Sequence, residues 1–235
     1  MSANILAIDA ATEACSVALQ FNDHCYSLFE ICPQQHSQRI LPMVDEVLKQ
    51  AGIRLSELDA LAFSQGPGSF TGVRIGVGVA QGLAFGADLP LIGVSTLQTM
   101  AQRAITKHGS KKVIAAIDAR MGEIYTAQFE DRDGLAVFVG NETVIKPDDA
   151  DFGLVAGEPH EHCQIAGVGT GWQTYATQLA EKVDAVVLTD ILYPHAQDML
   201  PLAIQALADN RQVEAQDAQP VYVRDTVTWK KLPGR

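Results

Sequence analysis

Positive charge is in short supply. Against 28 Asp and Glu, the 235 residues offer only 17 Lys and Arg, a formal net charge of -11. Affinity for nucleic acid comes largely from Lys and Arg neutralising phosphates, so a chain this acidic is not expected to grip RNA or DNA strongly by itself. Cysteine is scarce as well. Cys15, Cys25, Cys32 and Cys163 form neither a C-x-x-C pair nor a dense framework, which argues against a disulfide scaffold and against a zinc site built on paired cysteines. Reduced thiols in a cytosol-like compartment are the expectation. Long apolar runs are missing too. The N-terminus has no basic region and reaches Asp9 early, unlike a secretory signal. The apolar stretch between Arg74 and Asp88 is too short and too rich in glycine to span a bilayer. A cytoplasmic chain without a membrane segment is therefore expected. No linker rich in Ser, Gly or Pro divides the sequence, so its parts should pack together.

What is present is a well-buried globular pattern, 47% apolar and 19% charged. Ile5-Leu-Ala-Ile8 reads as a buried strand ending at Asp9, followed by strands over Val17–Phe21 and Cys25–Ile31. The period then changes. Ile40, Leu41, Val44, Val47, Leu48 and Ala51 recur at helical spacing, with Ser37 as candidate cap, Gly52 as stop and Pro42 as a bend. A short strand at Ala60–Phe63 leads through a glycine-rich bend into a helix over 72–86. Leu91–Val94 reads as a strand, and Ser95 with Gln98 has the form of a capping box for a helix to about Lys107. Alternating strands and helices predict an α/β fold.

The second half restarts the pattern. Val113-Ile-Ala-Ala-Ile-Asp118 resembles Ile5-Leu-Ala-Ile-Asp9 at an offset of 109 residues, and Ala127-Gln-Phe129 resembles Leu19-Gln-Phe21 at an offset of 108. Two landmarks at nearly one offset predict a duplicated strand–turn–strand unit and two related lobes, divided as residues 1–108 and 109–235, with the last segment packing back on the first lobe. Further on, Gly167, Gly169 and Gly171 read as a loop before a helix near Trp172. Met199, Leu200, Ala203, Ile204 and Leu207 share one face of a helix within 194–210.

Residues 66 to 86 carry the most information. Gly76, Gly78 and Gly82 inside a helix each cost about 0.8 to 1 kcal/mol relative to alanine, so a close neighbour is expected to offset the loss. The bend at Gly66, Gly68, Ser69, Thr71 and Gly72 could hold a phosphate on backbone N–H groups, or it could be a structural turn. It matches neither a Walker A loop nor G-x-G-x-x-G. Asp9 and Asp118, each ending a strand, could position a magnesium ion and water or simply cap their turns. His160-Glu-His-Cys163 gathers metal-binding residue types without a second ligand pair, which favours a solvent-facing loop. No G-x-S-x-G elbow and no protease spacing is present. Glycines on more than one face of the 72–86 helix point instead to a protein interface, with Ile40, Leu41, Val44, Val47 and Leu48 of the 37–51 helix and Gly72, Ile75, Gly76, Val79, Gly82, Leu83 and Gly86 as the docking residues.

Several blocks together resemble one family. Ile5-Leu-Ala-Ile-Asp9, Thr12-Glu-Ala-Cys-Ser-Val-Ala-Leu19, Leu41-Pro-Met43, Gly66-Pro-Gly-Ser-Phe-Thr-Gly-Val-Arg74, Ala116-Ile-Asp-Ala-Arg120, Gly122-Glu-Ile-Tyr125 and Pro220-Val-Tyr-Val-Arg224 are similar to the bacterial TsaB (YeaZ) family over nearly the whole chain. The resemblance implies a two-lobed actin-like, Hsp70-like (ASKHA) fold with duplicated ribonuclease-H-like lobes. It also implies a part in forming N6-threonylcarbamoyladenosine at position 37 of tRNAs that read codons beginning with A. In that family the protein is a non-catalytic partner of TsaD, the transferase, and of the ATPase TsaE. It brings no cofactor of its own, ATP or ADP and metal entering through the partners, and a homodimer forms when the partners are absent. TsaD-like proteins carry a His-x-x-x-His metal pair where this sequence has Thr96 and Met100, neither suited to replace imidazole on an ion. The resemblance thus implies a chain without the transferase chemistry.

Overall fold

The structure is a computed structural model describing residues 3–153 and 164–224. Its first half contains β1 (Ile5–Asp9), β2 (Ala14–Phe21), β3 (His24–Ile31), α1 (His36–Ala51), β4 (Ala60–Gly66), α2 (Phe70–Ala87), β5 (Leu91–Ser95) and α3 (Thr96–His108). The second contains β6 (Lys112–Asp118), β7 (Ile124–Arg132), β8 (Leu135–Ile145), β9 (Ile165–Val168), α4 (Thr170–Thr174), α5 (Ala176–Ala180), β10 (Ala185–Val187) and α6 (Ala196–Ala208). The two five-stranded sheets run in the orders β3-β2-β1-β4-β5 and β8-β7-β6-β9-β10. In each, the first three strands are antiparallel, and the next two join the first in parallel. Both halves therefore share one strand order and one set of senses, matching the offset seen between Asp9 and Asp118.

β1 is buried along its whole length because both faces of the first sheet are covered. Leu6 and Ile8 meet α1 and α2 through Ile40, Val44, Val73 and Ala80. Ile5 and Ala7 face the other way, onto Met199, Leu200 and Ala203 of α6. The second sheet receives α3 instead: Leu97, Met100, Ala101 and Ala104 pack on Val113, Ala115 and Phe129. The helix that ends each half thus lies on the sheet of the other. By packing, α3 goes with the second sheet, whereas the sequence division at residue 108 follows chain order.

Local signals explain most element ends. Gly52 stops α1 in the left-handed conformation, as expected, and Pro42 lies inside the helix. Ser37 does not cap: α1 starts at His36 after Gln35, which makes no side-chain cap. Ser95 caps α3 by accepting from Gln98 N–H at 3.1 Å. The Gln98 side chain reaches Ala136 O at 2.8 Å rather than back to the cap, so only half of the capping box forms. Gly167 lies within β9 instead of a loop, against the Trp172 ring. β8 went unread in the sequence, although Asp133-Gly134, both left-handed, is the dipeptide that favours a tight hairpin.

Candidate functional site

The C-terminal ends of β1 and β4 bring the glycine bend and Asp9 together. The bend is held by this chain's own backbone. Gly66 is followed by a cis bond to Pro67 and has a φ of +108°. A Cβ on Gly66 would lie 2.8 Å from Val221 O, one on Gly68 2.2 Å from Ala11 O, and one on Gly72 2.2 Å from Ala10 O. Ser69 N–H donates to Ala11 O at 2.7 Å, and Ser69 Oγ accepts from Gly72 N–H at 3.4 Å as the α2 cap. These glycines exist because the β1–β2 turn and the C-terminal segment approach too closely for a side chain. That arrangement gives Gly66, Gly68 and Gly72 a structural reason of their own, the turn reading that the sequence left open, while Ser69 and Thr71 are exposed beside it.

Asp9 has 0% exposure. Its Oδ1 accepts from Ala11 N–H at 3.2 Å, capping its own turn, while Oδ2 has no hydrogen-bond partner. Burial pushes its carboxyl up to about 7. The nearby Ser64 hydroxyl and the Ala11 N–H pull the other way, although Ser64 Oγ makes no well-formed hydrogen bond. A side chain so enclosed cannot touch a nucleotide in this conformation, which corrects its assignment as a contact. Asp118 repeats the turn, its Oδ1 accepting from Arg120 N–H at 2.9 Å, and adds Tyr175 Oη at 3.3 Å. Both aspartates therefore serve as turn caps, the second reading left open by the sequence.

Thr96 and Met100 sit in the first two turns of α3 and are both fully buried. Met100 fills the core of the second half, and a hydroxyl with a thioether does not fit an ion that imidazoles hold. His160 to Cys163 lie outside the described residues. A shallow cavity of about 320 Å³, lined by Trp172, Ala176, Val183 and Val187 among others, contains none of the anticipated residues.

The proposed docking residues divide. Ile40, Val44 and Val47 are buried in the core of the first half, so they are not available to a partner. Gly72 and Gly76 face Ala10 and are buried too. The rest of the group reaches the surface. Leu41 is 48% exposed, and Leu48, Ile75, Val79 and Leu83 are half-buried. A Cβ on Gly78, Gly82 or Gly86 would meet nothing within 4 Å. Phe70 and Phe85, which the sequence reading omitted, are 60% and 80% exposed. Both lie on the helical face of Gly78 and Gly82, about 140 to 160° around the helix from Leu83. Arg74 is the only ionisable residue of α2; its guanidinium lies 3.7 Å from the Phe70 ring centroid and donates to Tyr222 Oη at 2.7 Å.

A family model described as "TsaD: tRNA N6-adenosine threonylcarbamoyltransferase" matches residues 30–232. The "tRNA threonylcarbamoyladenosine biosynthesis protein TsaB" of Escherichia coli is 52% identical over 98% of this chain and 99% of its own length. The chain belongs to the TsaB (YeaZ) family. The TsaB of Haemophilus influenzae is 44% identical over 98% of both chains. "YeaZ from Pseudomonas aeruginosa" superposes with a TM-score of 0.83 at 44% identity, over 94% of this chain and all of that one. A second solved structure from that organism, described as similar to peptidase YEAZ, gives 0.86 at the same identity, over 95% of this chain and all of that one. TsaB relatives are thus similar to this chain from end to end, and no helix among the described residues is long and apolar enough to cross a membrane.

Proposed function

We propose that this chain is a non-catalytic subunit of the machinery that forms N6-threonylcarbamoyladenosine at position 37 of tRNAs reading codons that begin with A. In this reading it docks on TsaD through the outward face of α2 and the neighbouring end of α1, and TsaE joins the pair. Nucleotide and metal enter with those partners, and the same face pairs two copies when the partners are absent. The fold is read as actin-like, with two related ribonuclease-H-like lobes, on the strength of the shared strand order. Cytoplasmic location follows from this role.

One contrast carries the proposal. Asp9 is closed inside the protein, as are Thr96 and Met100 where the relatives' imidazoles would stand, whereas α2 turns an almost uncharged face with two exposed phenylalanines and three open glycines to solvent. An apolar patch rimmed by polar surface favours a protein neighbour. Co-expression with TsaD tests this. The wild-type chain should co-purify, and Gly82→Leu should weaken the complex about tenfold or more while leaving the isolated chain folded. Equal recovery of both forms would remove α2 from the interface. Threonylcarbamoylation of tRNA by the purified chain alone would overturn the non-catalytic role.

A further inference from the structure

The segment after α6 runs across both halves. Leu91 and Val213 exchange two backbone hydrogen bonds of 2.8 Å, and Ala215 and Ala218 bury in the first core. Gln81 Nε2 donates to Ala218 O at 3.1 Å, and Val221 N–H donates to Gln65 O at 2.7 Å. Tyr222 then takes Arg74 on α2. Two residues later the chain meets the second half. Arg224 Nη2 lies 2.5 Å from Glu123 Oε2, its Nη1 3.7 Å from Met121 Sδ, and its guanidinium 5.7 Å from the Tyr125 ring centroid. Arg224 is well shielded, with a side-chain exposure of 15%.

Arg224 lands on an unusual piece of backbone. Arg120, Met121 and Gly122 in the β6–β7 turn have φ values of +62°, +58° and +79°. Two successive non-glycine residues in the left-handed region must be held there by their surroundings. Asp118 holds one end through Arg120 N–H, and Arg224 holds the other through Met121 and Glu123. The turn also makes an ionic contact between the halves: Arg120 Nη2 lies 2.9 Å from Glu13 Oε1 in the β1–β2 turn. That pair is solvent-exposed and contributes little by itself.

We infer that residues 218–224 form a strap linking the α2 face to the junction between the halves, with Arg224 as the residue that keeps the left-handed turn, and through it the Arg120–Glu13 contact, in place. Displacing Tyr222 from Arg74 on α2 would then loosen a turn on the opposite half. A ligand at one end can shift the other only through an element with two arrangements, and the strained turn supplies that element. The inference concerns the isolated chain and stands independently of the partner proposed above.

Hydrogen exchange on the full chain, read by mass spectrometry, tests it. Arg224→Ala should speed exchange in two separated peptides, about tenfold at 119–123 and by a smaller factor of about two at 10–13, and Tyr222→Phe should do the same more weakly. Arg224→Lys keeps the charge and should recover part of the protection. Adding Met121→Gly to Arg224→Ala removes the strain and should slow exchange at 119–123 again. Faster exchange confined to 213–224 would reduce the segment to local packing and overturn the inference. Should Arg224→Ala fail to fold, Glu123→Gln, which retains the side-chain shape, must give the same two-peptide pattern or the inference is lost.

Discussion

At Asp9 the carboxyl group has lost all contact with solvent, and burial raises it from 3.8 to about 7. A folded-state value above the unfolded one means that folding favours the protonated form. Stability from this group is then complete below about pH 4, declines as pH rises through the interval to about 7, and levels off above it. A shift of this size corresponds to at most about 4 kcal/mol. Asp9→Asn, which stays neutral, should therefore raise the melting temperature at pH 8 and change it far less at pH 4. Parallel melting curves for the two proteins across that range would show that Asp9 is ionised in the fold. Glycines answer to the same local reasoning with opposite signs. Gly72→Ala places a methyl against Ala10 O and should destabilise by about 2 to 3 kcal/mol through overpacking against backbone. Gly82→Ala meets nothing and should stabilise by roughly 0.8 to 1 kcal/mol through helix propensity. Urea unfolding of both variants measures the difference.

At the level of the element, α2 is two helices in one. Its inner face, with Val73, Gly76, Val77, Ala80 and Ala84, belongs to the core, and its outer face is open. Combining Gly78→Ala with Gly82→Ala should add most of about 1.5 to 2 kcal/mol to the isolated chain, read from its denaturation midpoint. A gain of this size, open to the isolated chain at positions where a Cβ meets nothing, is what the proposed docking face would require the helix to forgo. The helical period and the glycine spacing were readable in the sequence, as were the ends of β1, β3, β5 and α3 to within a residue or two. What could not be read was which neighbour each glycine meets. Gly72 and Gly82 look alike in a string of letters, yet one is pressed on Ala10 and the other faces water, because the β1–β2 turn comes from sixty residues earlier. The same limit explains Ile40, Val44 and Val47: their spacing marks an apolar stripe, and only tertiary packing decides whether that stripe turns inward.

Across the whole molecule, each half's last helix covers the sheet of the other half. Ile5, Ala7, Ala62, Ile92 and Val94 on the first sheet are covered by α6, which lies more than a hundred residues later. A fragment ending at residue 108 would carry α3 without its sheet and expose that apolar face, so it should aggregate or remain unfolded by circular dichroism. A soluble, cooperatively melting fragment would mean that α6 is dispensable. In the intact chain, Met199→Ala, at a fully buried position, should cost about 2 to 5 kcal/mol, and its effect should reach the first sheet as well as α6. The internal repeat foretold the matching sheets from Asp9 and Asp118, but two short strand motifs contain nothing about which helix crosses over. That depends on the chain after β5 and after β10 crossing to the sheet of the other half.

The crossover also sets an order for biogenesis. While a ribosome is still making the chain, one flank of the first sheet has no cover until the codons for residues 196–208 have been translated and α6 has cleared the exit tunnel. Early in synthesis the nascent protein must therefore carry an open greasy surface, and slow elongation through the second half would prolong its exposure.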